Sequence, residues 1–275
     1  MLTIEQALER ILVHTPQPRP ERVAVEHALS RVLAEDVRSE VDVPPWDNSA
    51  MDGYAVRAAD TGDDVTLRLL GTVGAGVAPD QEVSAGSAIA VMTGAPIPAG
   101  ADSVVMLEDT DRSRSEQVAI RIRAREGQHV RRRGEDVAVG DVVLSGGAVL
   151  GPASLGLLGS IGRTEVLVAR RPRVAIVSTG DEVIRPGTPL RPGQIWSSNH
   201  LSLAGWVRAS GGVPIDAGTA PDDLDATVDV LRRAVADADA VLTTGGVSVG
   251  HFDVVKEAFG VLGAPIDFWK VAMKP

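Results

Sequence analysis

The spacing of apolar and polar positions changes along this chain, and the first regular pattern lies at its start. Apolar side chains recur every three to four residues there, which predicts an amphipathic helix over residues 3–13. Thr3 and Gln6 have the spacing of a capping box, in which each side chain bonds the other residue's backbone N–H. The expected apolar face consists of Ile4, Ala7, Leu8, Ile11 and Leu12.

Beyond three closely spaced prolines, the pattern becomes short apolar runs separated by Gly, Pro and Asp. Such spacing is typical of β-rich domains, and it fills residues 46–140. The strands expected there cover 65–73, 87–92 and 103–107, after a short helix at 25–30 and a strand-like segment at 32–41. The polar stretch 112–117 is expected to be an exposed loop. Segments 141–144, 151–161 and 164–168 return to the pattern of the first piece, with a short helix that begins at Pro152.

In the last hundred residues, buried-type strands alternate with helices, which predicts a parallel α/β sheet. The strands are expected at 174–178, 213–218, 240–243 and 266–271, and the helices at 198–210, 222–237 and 252–262. Ligands of such sheets bind beyond the carboxyl ends of the strands. Two polar turns leave strand ends there, at residues 178–182 and 245–253.

These patterns predict a multidomain α+β protein in three parts. Residues 1–45 and 141–170 form an N-terminal mixed domain, into which a β-rich domain of residues 46–140 is inserted. Residues 171–275 form a parallel α/β domain. The chain ends directly after an apolar strand candidate, so we expect the α/β domain to be incomplete at its C-terminus.

Composition narrows the class of protein. The 275 residues are 44% hydrophobic and 23% charged, which is sufficient for a globular core. A net charge of −10 argues against nucleic acid or an anionic membrane as the main partner. The absence of cysteine excludes disulfides and thiolate chemistry. With neither a signal peptide nor an apolar run long enough to span a bilayer, the sequence predicts a soluble cytoplasmic protein.

The glycine-rich sequence TTGGVSVGHFD (residues 243–253) is the strongest candidate for a binding loop. Glycines let backbone N–H groups approach a ligand, and the N-terminus of the following helix adds about half a positive charge. A phosphate-bearing ligand is therefore expected. The sequence is neither a Walker A motif nor Gly-x-Gly-x-x-Gly, so it belongs to neither of those nucleotide-binding classes.

Acidic and basic residues accompany this loop. Glu182 and Asp253 each follow a glycine turn at a strand end, where a divalent cation such as Mg²⁺ could bridge carboxylates to phosphate oxygens. Asp222 is a further candidate, although a helix N-cap role would also explain it. Lys270 and Lys274 flank the last strand and could stabilise an oxyanion, although lysines are common at such positions.

Three other clusters have structural alternatives. Residues 47–56 combine acids, an asparagine and the single tyrosine, but an Asx turn entering a strand would account for them. The strand-and-turn sequence at 91–98 is more typical of a structural element. The arginine run at 131–133 could serve a phosphate or an interface, or it could be a solvated charged surface.

Together these segments resemble the molybdopterin molybdenumtransferase family, which comprises the MoeA and gephyrin E-domain proteins. The similar motifs are PWDNSAMDGYAV (45–56), MTGA (92–95), RRRGED (131–136), STGDE (178–182), TGGVSVG (244–250) and FWK (268–270). They occur in the family's order and spacing. The resemblance implies that the α/β domain binds molybdopterin and that a C-terminal β domain is absent from this chain. A chain of this length could therefore be inactive.

The resemblance also implies the reaction and the residue roles. Family members insert molybdate into adenylylated molybdopterin and release AMP. The implied catalytic residues are Asp52, Thr93, Asp136, Glu182, Lys270 and Lys274. The implied molybdopterin-binding residues are Gly245, Gly246, Ser248, Gly250 and Asp253, and the implied Mg²⁺ ligands are Asp222 and Asp253. A homodimer is implied, with Asp52 and Thr93 acting from the partner subunit, and a molybdopterin adenylyltransferase is a possible partner protein.

Two alternative functions remain open from the sequence. One is a non-catalytic molybdopterin-binding or scaffold role, as in the receptor-clustering use of gephyrin. The other is the related adenylyltransferase activity, because that enzyme resembles the α/β part and shares the Gly-Gly loop. The first 170 residues argue against the second alternative, since that enzyme resembles a single α/β domain.

Overall fold

A computed structural model describes residues 1–114, 116–245, 254–264, 266–268 and 271–273 of the chain. The helices are α1 (Ile4–His14), α2 (Pro152–Ser160), α3 (Ser198–Ala209), α4 (Leu224–Asp237) and α5 (Val254–Val261). The first strands are β1 (Pro20–Ala24), β2 (Val37–Arg38), β3 (Asn48–Ser49), β4 (Gly53–Val56), β5 (Val65–Val73), β6 (Ser87–Val91), β7 (Ser103–Met106), β8 (Thr110–Arg114), β9 (Gln117–Ile120) and β10 (Val130–Arg131). The later strands are β11 (Val142–Leu144), β12 (Glu165–Ala169), β13 (Arg173–Thr179), β14 (Val183–Ile184), β15 (Ile195–Trp196), β16 (Val213–Ala220) and β17 (Ala240–Thr244).

The chain divides into two compact units. The first unit consists of Met1–Arg22, Ser30–Val32 and Leu167–Pro275, and the second of Val23–Leu29 and Leu33–Val166. The first unit contains α1 and the α/β sheet, and the second contains the β-rich region. The three-domain boundaries proposed from the sequence stay a prediction.

Helix α1 begins one residue later than the sequence predicts, and its capping box is present. Thr3 accepts a hydrogen bond from the backbone N–H of Gln6, whose side chain accepts one from the backbone N–H of Thr3. The apolar face, however, is not a core face. Ala7 is its one buried member, while the side chains of the other four positions are more than half exposed. The helical period was therefore predictable, but what covers the apolar face was not.

The second unit contains a six-stranded sheet in the order β7-β4-β6-β5-β9-β8. All its neighbours are antiparallel except β5 and β6, which are parallel. Both faces are packed: Tyr54 and Val56 belong to one core cluster, and Ala55 and Ile89 belong to the other. The predicted β-rich region is confirmed.

Two predictions for this unit are wrong. Residues 112–114 and 117 belong to strands and not to the expected loop, because β8 pairs with β9 in an antiparallel arrangement. The polar sequence is compatible with β8 as the edge strand of the sheet. An edge strand needs a hydrogen-bonding partner on one side, but its side chains need not be buried. The expected strand at 32–41 shrinks to β2, which pairs with β11.

The first unit is built on a three-stranded parallel sheet with β13 between β16 and β17. Alternate β13 side chains face opposite helices. Ala175 and Val177 belong to the cluster that contains Leu231 of α4, whereas Ile176 packs with Val207 of α3. The predicted parallel α/β sheet is confirmed, with helices on both faces.

The expected strand at 266–271 is not part of this sheet among the described residues. Positions 266–268 have no strand assignment, and Val271 forms a parallel bridge with Leu2 instead. Residues 269 and 270 lie outside the described residues. Within the described ranges, none of the helices is long and apolar enough to cross a membrane.

Leu231→Ala should destabilise the first unit by about 2–5 kcal/mol, because Leu231 is fully buried between α4 and the sheet. Val235, one turn later on α4, is 55% exposed, so Val235→Ala should change stability by at most about 0.5 kcal/mol. Urea unfolding, monitored by far-ultraviolet circular dichroism, measures the free energy of unfolding of both variants. Equal losses in the two variants would contradict the assignment of this face of α4 to the core.

Candidate functional site

The carboxyl ends of the three parallel strands lie side by side in the first unit. Thr179, the last residue of β13, pairs in register with Ala220 at the end of β16. On the other side, Ser178 pairs with Thr244 at the end of β17. The turns that leave these strands therefore begin at one edge, as the ligand-binding rule for parallel sheets requires.

Gly245 brings the backbone after β17 against β13. Its φ is +92°, and a Cβ at this position would lie 2.7 Å from the Oγ1 atom of Thr179. The same Thr179 hydroxyl donates a hydrogen bond of 2.8 Å to the carbonyl oxygen of Thr244. Glycine at 245 is thus required both by the backbone conformation and by the space. The other predicted loop residues, Gly246, Ser248, Gly250 and Asp253, lie outside the described residues, as do Lys270 and Lys274.

Three carboxylates occupy the same edge. Glu182 folds back over Gly180, where a Cβ would lie 2.3 Å from a carboxylate oxygen of Glu182. Asp181 accepts a hydrogen bond of 3.4 Å from the backbone N–H of Asp222, while Gly180 donates one of 3.1 Å to the carbonyl oxygen of Ala220. All three acids are exposed. In the described part of the chain, none of the three has a cationic side chain within ion-pair distance.

Asp222 is not the N-cap of α4. The neighbouring Asp223 has that role, because its side chain accepts a hydrogen bond of 2.9 Å from the backbone N–H of Ala226. The capping explanation for Asp222 is therefore wrong by one residue. Because the Asp222 carboxylate does not cap α4, it is a candidate metal ligand. The two candidates were indistinguishable by sequence because both aspartates immediately precede the helix.

The described residues do not contain a group of three or more acids or histidines arranged as a metal site. Asp253, the second expected Mg²⁺ ligand, is outside the described residues. The chemistry of the neighbouring acids nevertheless suits Mg²⁺, which binds carboxylate oxygen atoms and keeps several water molecules.

A second group of predicted site residues lies in the other unit. One Asp52 carboxylate oxygen accepts hydrogen bonds from both the backbone N–H of Thr93, at 2.6 Å, and its hydroxyl, at 2.9 Å. The structure therefore joins two residues that are separated by 41 positions in the sequence. The backbone hydrogen bond from Thr93 is the main cause that lowers the pKa of Asp52, and the hydroxyl adds to it.

The backbone around Asp52 explains this contact. Strand β3 pairs with β10 on one side, and Ser49 exchanges backbone hydrogen bonds with Gly94 and Ala95 on the other. Gly94 has a φ of +81°, which allows the turn after Thr93. The two motifs that seemed separable as local turns in the sequence are thus one substructure.

The arginine run has mixed roles. Arg132 forms an ion pair of 2.7 Å with Asp47, and Arg133 forms one of 2.6 Å with Asp42. These partners, 85 and 91 positions away along the chain, were missed in the sequence. The backbone N–H of Arg133 is the main cause that lowers the pKa of Asp47. Two arginines therefore fix the chain beside β3.

Arg131 has no ion pair with any residue of the described ranges, although it lies opposite Asn48 in the β3–β10 pair. The side-chain oxygen of Asn48 is buried and has no hydrogen-bond partner there. Asp136, a predicted catalytic residue, is exposed, and it shares no hydrogen bond with the pair formed by Asp52 and Thr93. Its backbone N–H donates to the carbonyl oxygen of Val43.

Comparison with known proteins identifies two family regions. Residues 2–162 match the MoeA N-terminal region (domain I and II), and residues 175–275 match a probable molybdopterin binding domain. The chain is 44% identical over 267 residues to molybdopterin molybdenumtransferase 2 of Mycobacterium tuberculosis, covering 94% of this chain and 66% of that protein. It is 40% identical to molybdopterin molybdenumtransferase of Haemophilus influenzae, covering 100% of this chain and 68% of the relative.

A solved molybdopterin biosynthesis MoeA protein from Pyrococcus horikoshii superimposes with a TM-score of 0.87 at 35% sequence identity. The alignment covers 100% of this chain and 70% of that structure. The chain thus spans about two thirds of the length of the curated relatives that it matches.

Thr93→Val should raise the pKa of Asp52 toward its ordinary value, because the hydroxyl hydrogen bond is lost while the backbone hydrogen bond remains. The stabilisation from this contact is present above the pKa of Asp in the unfolded chain and is lost as the pH falls through the lower folded value. The variants should therefore differ in stability above this range and converge at lower pH. Carbon-13 NMR titration of the Asp52 carboxyl group measures the pKa.

Thr66→Val is the matched control, because Thr66 is an exposed threonine of β5 in the same unit. It should leave the pKa of Asp52 unchanged. A pKa that stays unchanged in Thr93→Val, or one that moves equally in both variants, would disagree with the hydrogen bond as its cause.

Proposed function

Since this chain belongs to the MoeA family, we propose that it acts in molybdenum cofactor biosynthesis as a molybdopterin molybdenumtransferase. Its substrates are adenylylated molybdopterin and molybdate, and its products are the molybdenum cofactor and AMP. The observation that carries the proposal is the carboxyl edge of the parallel sheet, where the close approach at Gly245 adjoins three exposed carboxylates.

The first step is binding of the phosphate region of the substrate at the loop that begins with Gly245. Backbone N–H groups of a glycine-rich turn suit phosphate oxygens because no Cβ obstructs them. Ser248, with the neighbouring loop residues, is proposed to complete this contact. Lys270 and Lys274 are proposed to neutralise the anionic molybdate and diphosphate.

Carboxylates beside a diphosphate would repel it unless a cation lies between them. We assign this role to Mg²⁺, held by Asp222 and Asp253, and the oxygen ligands fit that ion. When bound, Mg²⁺ would neutralise the phosphoanhydride as it is hydrolysed. Glu182 is proposed to orient the reacting groups from its place over Gly180. Most of the catalysis is then positioning and charge stabilisation.

A homodimer completes the proposal. Asp52, Thr93 and Asp136 would line the reaction cleft, with Asp52 and Thr93 contributed by the second copy of the chain. Asp52, whose pKa lies below its ordinary value, is a carboxylate at neutral pH and can accept hydrogen bonds from the substrate. The exposed apolar face of α1 is one surface that association could cover. A molybdopterin adenylyltransferase is the proposed supplier of the adenylylated substrate.

The function is tested by incubating the purified protein with adenylylated molybdopterin, molybdate and Mg²⁺ and measuring AMP by chromatography. Asp222→Asn should lower the AMP-release rate at limiting Mg²⁺ by about tenfold or more, a loss of about 1.4 kcal/mol in transition-state stabilisation. Asp225→Asn is the control with the same charge change, since Asp225 is an exposed residue in the first turn of α4. It should retain the wild-type rate.

Equal AMP-release rates in Asp222→Asn and Asp225→Asn would contradict the assignment of Asp222 as a Mg²⁺ ligand. In an Asp52→Ala, Asp253→Ala double variant, unchanged AMP release would refute both assignments. Tight molybdopterin binding without AMP release would favour the scaffold alternative, and ATP-dependent adenylylation of molybdopterin would favour adenylyltransferase activity. Calorimetry at fixed Mg²⁺ measures the binding.

Subunit complementation tests the shared cleft. Asp52→Ala and Glu182→Gln should each be inactive as homodimers, because each lacks one part of every cleft. After the two variants are mixed and allowed to exchange subunits, roughly a quarter of the wild-type rate should return, since half of the dimers are mixed and each holds one intact cleft. Mixing two samples of the same variant is the control. Failure to recover activity despite subunit exchange, verified by mass spectrometry, would place both residues in one subunit's cleft.

A further inference from the structure

The opposite edge of the same sheet carries a cleft that the proposed reaction does not use. Its volume is about 430 Å³, and it is lined by residues that precede β13, β16 and β17: Pro172, Gly211 and Asp239. This is the amino edge of the sheet, whereas the proposed substrate loops leave the carboxyl edge. The cleft has the size of small-molecule binding pockets.

Arginines dominate the charge of this cleft. The lining contains four arginines and a single acidic residue, Asp239; the arginines are Arg19, Arg31, Arg170 and Arg171. This excess of positive charge contrasts with the net charge of −10 for the whole chain. A concave surface of one charge sign raises the local concentration of the opposite ion.

Two of the arginines form hydrogen bonds and ion pairs with other residues of the cleft walls. Arg31 is buried, and its guanidinium donates a hydrogen bond of 2.8 Å to the carbonyl oxygen of Ala169 and pairs with Glu21. Arg170 forms an ion pair of 2.6 Å with Asp239. These contacts hold the walls in place, because the bonds from Arg31 to Ala169 and from Arg170 to Asp239 join segments that are 138 and 69 positions apart.

The other two arginines are available to a ligand. The guanidinium groups of Arg19 and Arg171 have no ion pair within the described part of the chain, and both residues are exposed. The backbone around them is fixed, since the carbonyl oxygen of Arg19 accepts a hydrogen bond of 2.7 Å from the N–H of Arg170. Arg19 also makes a small contribution to the lowered pKa of Asp239, after the larger contributions of Arg173 and Arg170.

The rest of the lining combines stiff apolar residues with the polar residues Thr15, Gln17, Ser30 and Ser210. Pro16, Pro18 and Pro172 contribute rings to it, together with Val32 and Ala240. Proline rings present flat apolar surface at little cost in conformational entropy, because φ is already fixed. A ligand that matches both parts of this lining has an apolar ring and an anionic group.

We infer that this cleft is a binding site for a small organic anion, a planar ring that carries a phosphate group, bound by Arg19 and Arg171. Guanidinium groups bind phosphate oxygens in a bidentate geometry and also stack on aromatic rings, so they recognise both features. The proline surface covers the other face of the ring. The site is separate from the proposed molybdopterin site and does not depend on it.

The probe for the experiment is phenyl phosphate, titrated into the whole protein by isothermal calorimetry at low ionic strength. Phenol lacks the anion and inorganic phosphate lacks the ring, so each should bind at least about tenfold more weakly, a difference of about 1.4 kcal/mol. The double variant Arg19→Gln, Arg171→Gln should also bind phenyl phosphate at least about tenfold more weakly than the wild type does.

Arg22→Gln is the matched control, because Arg22 is an exposed arginine three positions from Arg19 that does not line the cleft. It should leave the dissociation constant unchanged within about twofold. Glu182→Gln, at the carboxyl edge, should also leave it unchanged, which separates this site from the proposed reaction cleft.

Three results would overturn the inference: no saturable binding of phenyl phosphate, equal affinity in the double variant and the wild type, or inorganic phosphate binding as tightly as phenyl phosphate. The last result would indicate a simple anion site without recognition of the ring. Circular dichroism of the double variant confirms that it is folded, and the single Arg171→Gln variant serves if it is not. Loss of molybdenumtransferase activity has no bearing on any of these outcomes.

Discussion

The parallel pairing of β13 with both of its neighbours is the constraint from which the candidate site follows. Because all three strands run in one direction, their carboxyl ends meet at a single edge, and residues far apart in sequence become neighbours. The pairing also fixes which side chains face α3 and which face α4 and α5. A slip of one residue in β13 would exchange these faces, bringing Ile176 into the space of two smaller side chains.

Two glycines in the turns at this edge, Gly180 and Gly245, provide the space that the candidate site needs. At position 245 any side chain would meet the Thr179 hydroxyl, and at position 180 any side chain would meet the Glu182 carboxylate. The backbone is thereby open to a ligand at position 245, and at position 180 the missing side chain leaves room for the Glu182 carboxylate. Similar logic applies in the second unit, where the turn at Gly94 brings Thr93 to Asp52.

The sequence was sufficient for features that depend on local pattern. Strand β5 was predicted over its whole length, the capping box at Thr3 was confirmed, and the parallel sheet followed from alternating apolar strands and helices. Features that depend on a distant partner were not predictable in this way. The ion pairs of Arg132 and Arg133 involve such partners and leave no local pattern in the sequence. The β8–β9 hairpin is local, but the polar residues of β8 do not show the apolar alternation that predicts a strand.

The two edges of the parallel sheet differ in charge, and the difference changes how each can bind an anion. The carboxyl edge presents Asp181, Glu182 and Asp222, whose charges repel an anion, so the binding proposed there calls for a cation. The amino edge presents Arg19 and Arg171, which attract an anion directly. Binding at the first edge should therefore depend on a divalent cation, whereas binding at the second should weaken with salt through ordinary screening. If both proposals hold, a single sheet has two anion sites with different electrostatic requirements, and the divalent-cation dependence of a bound anion identifies the edge that it occupies.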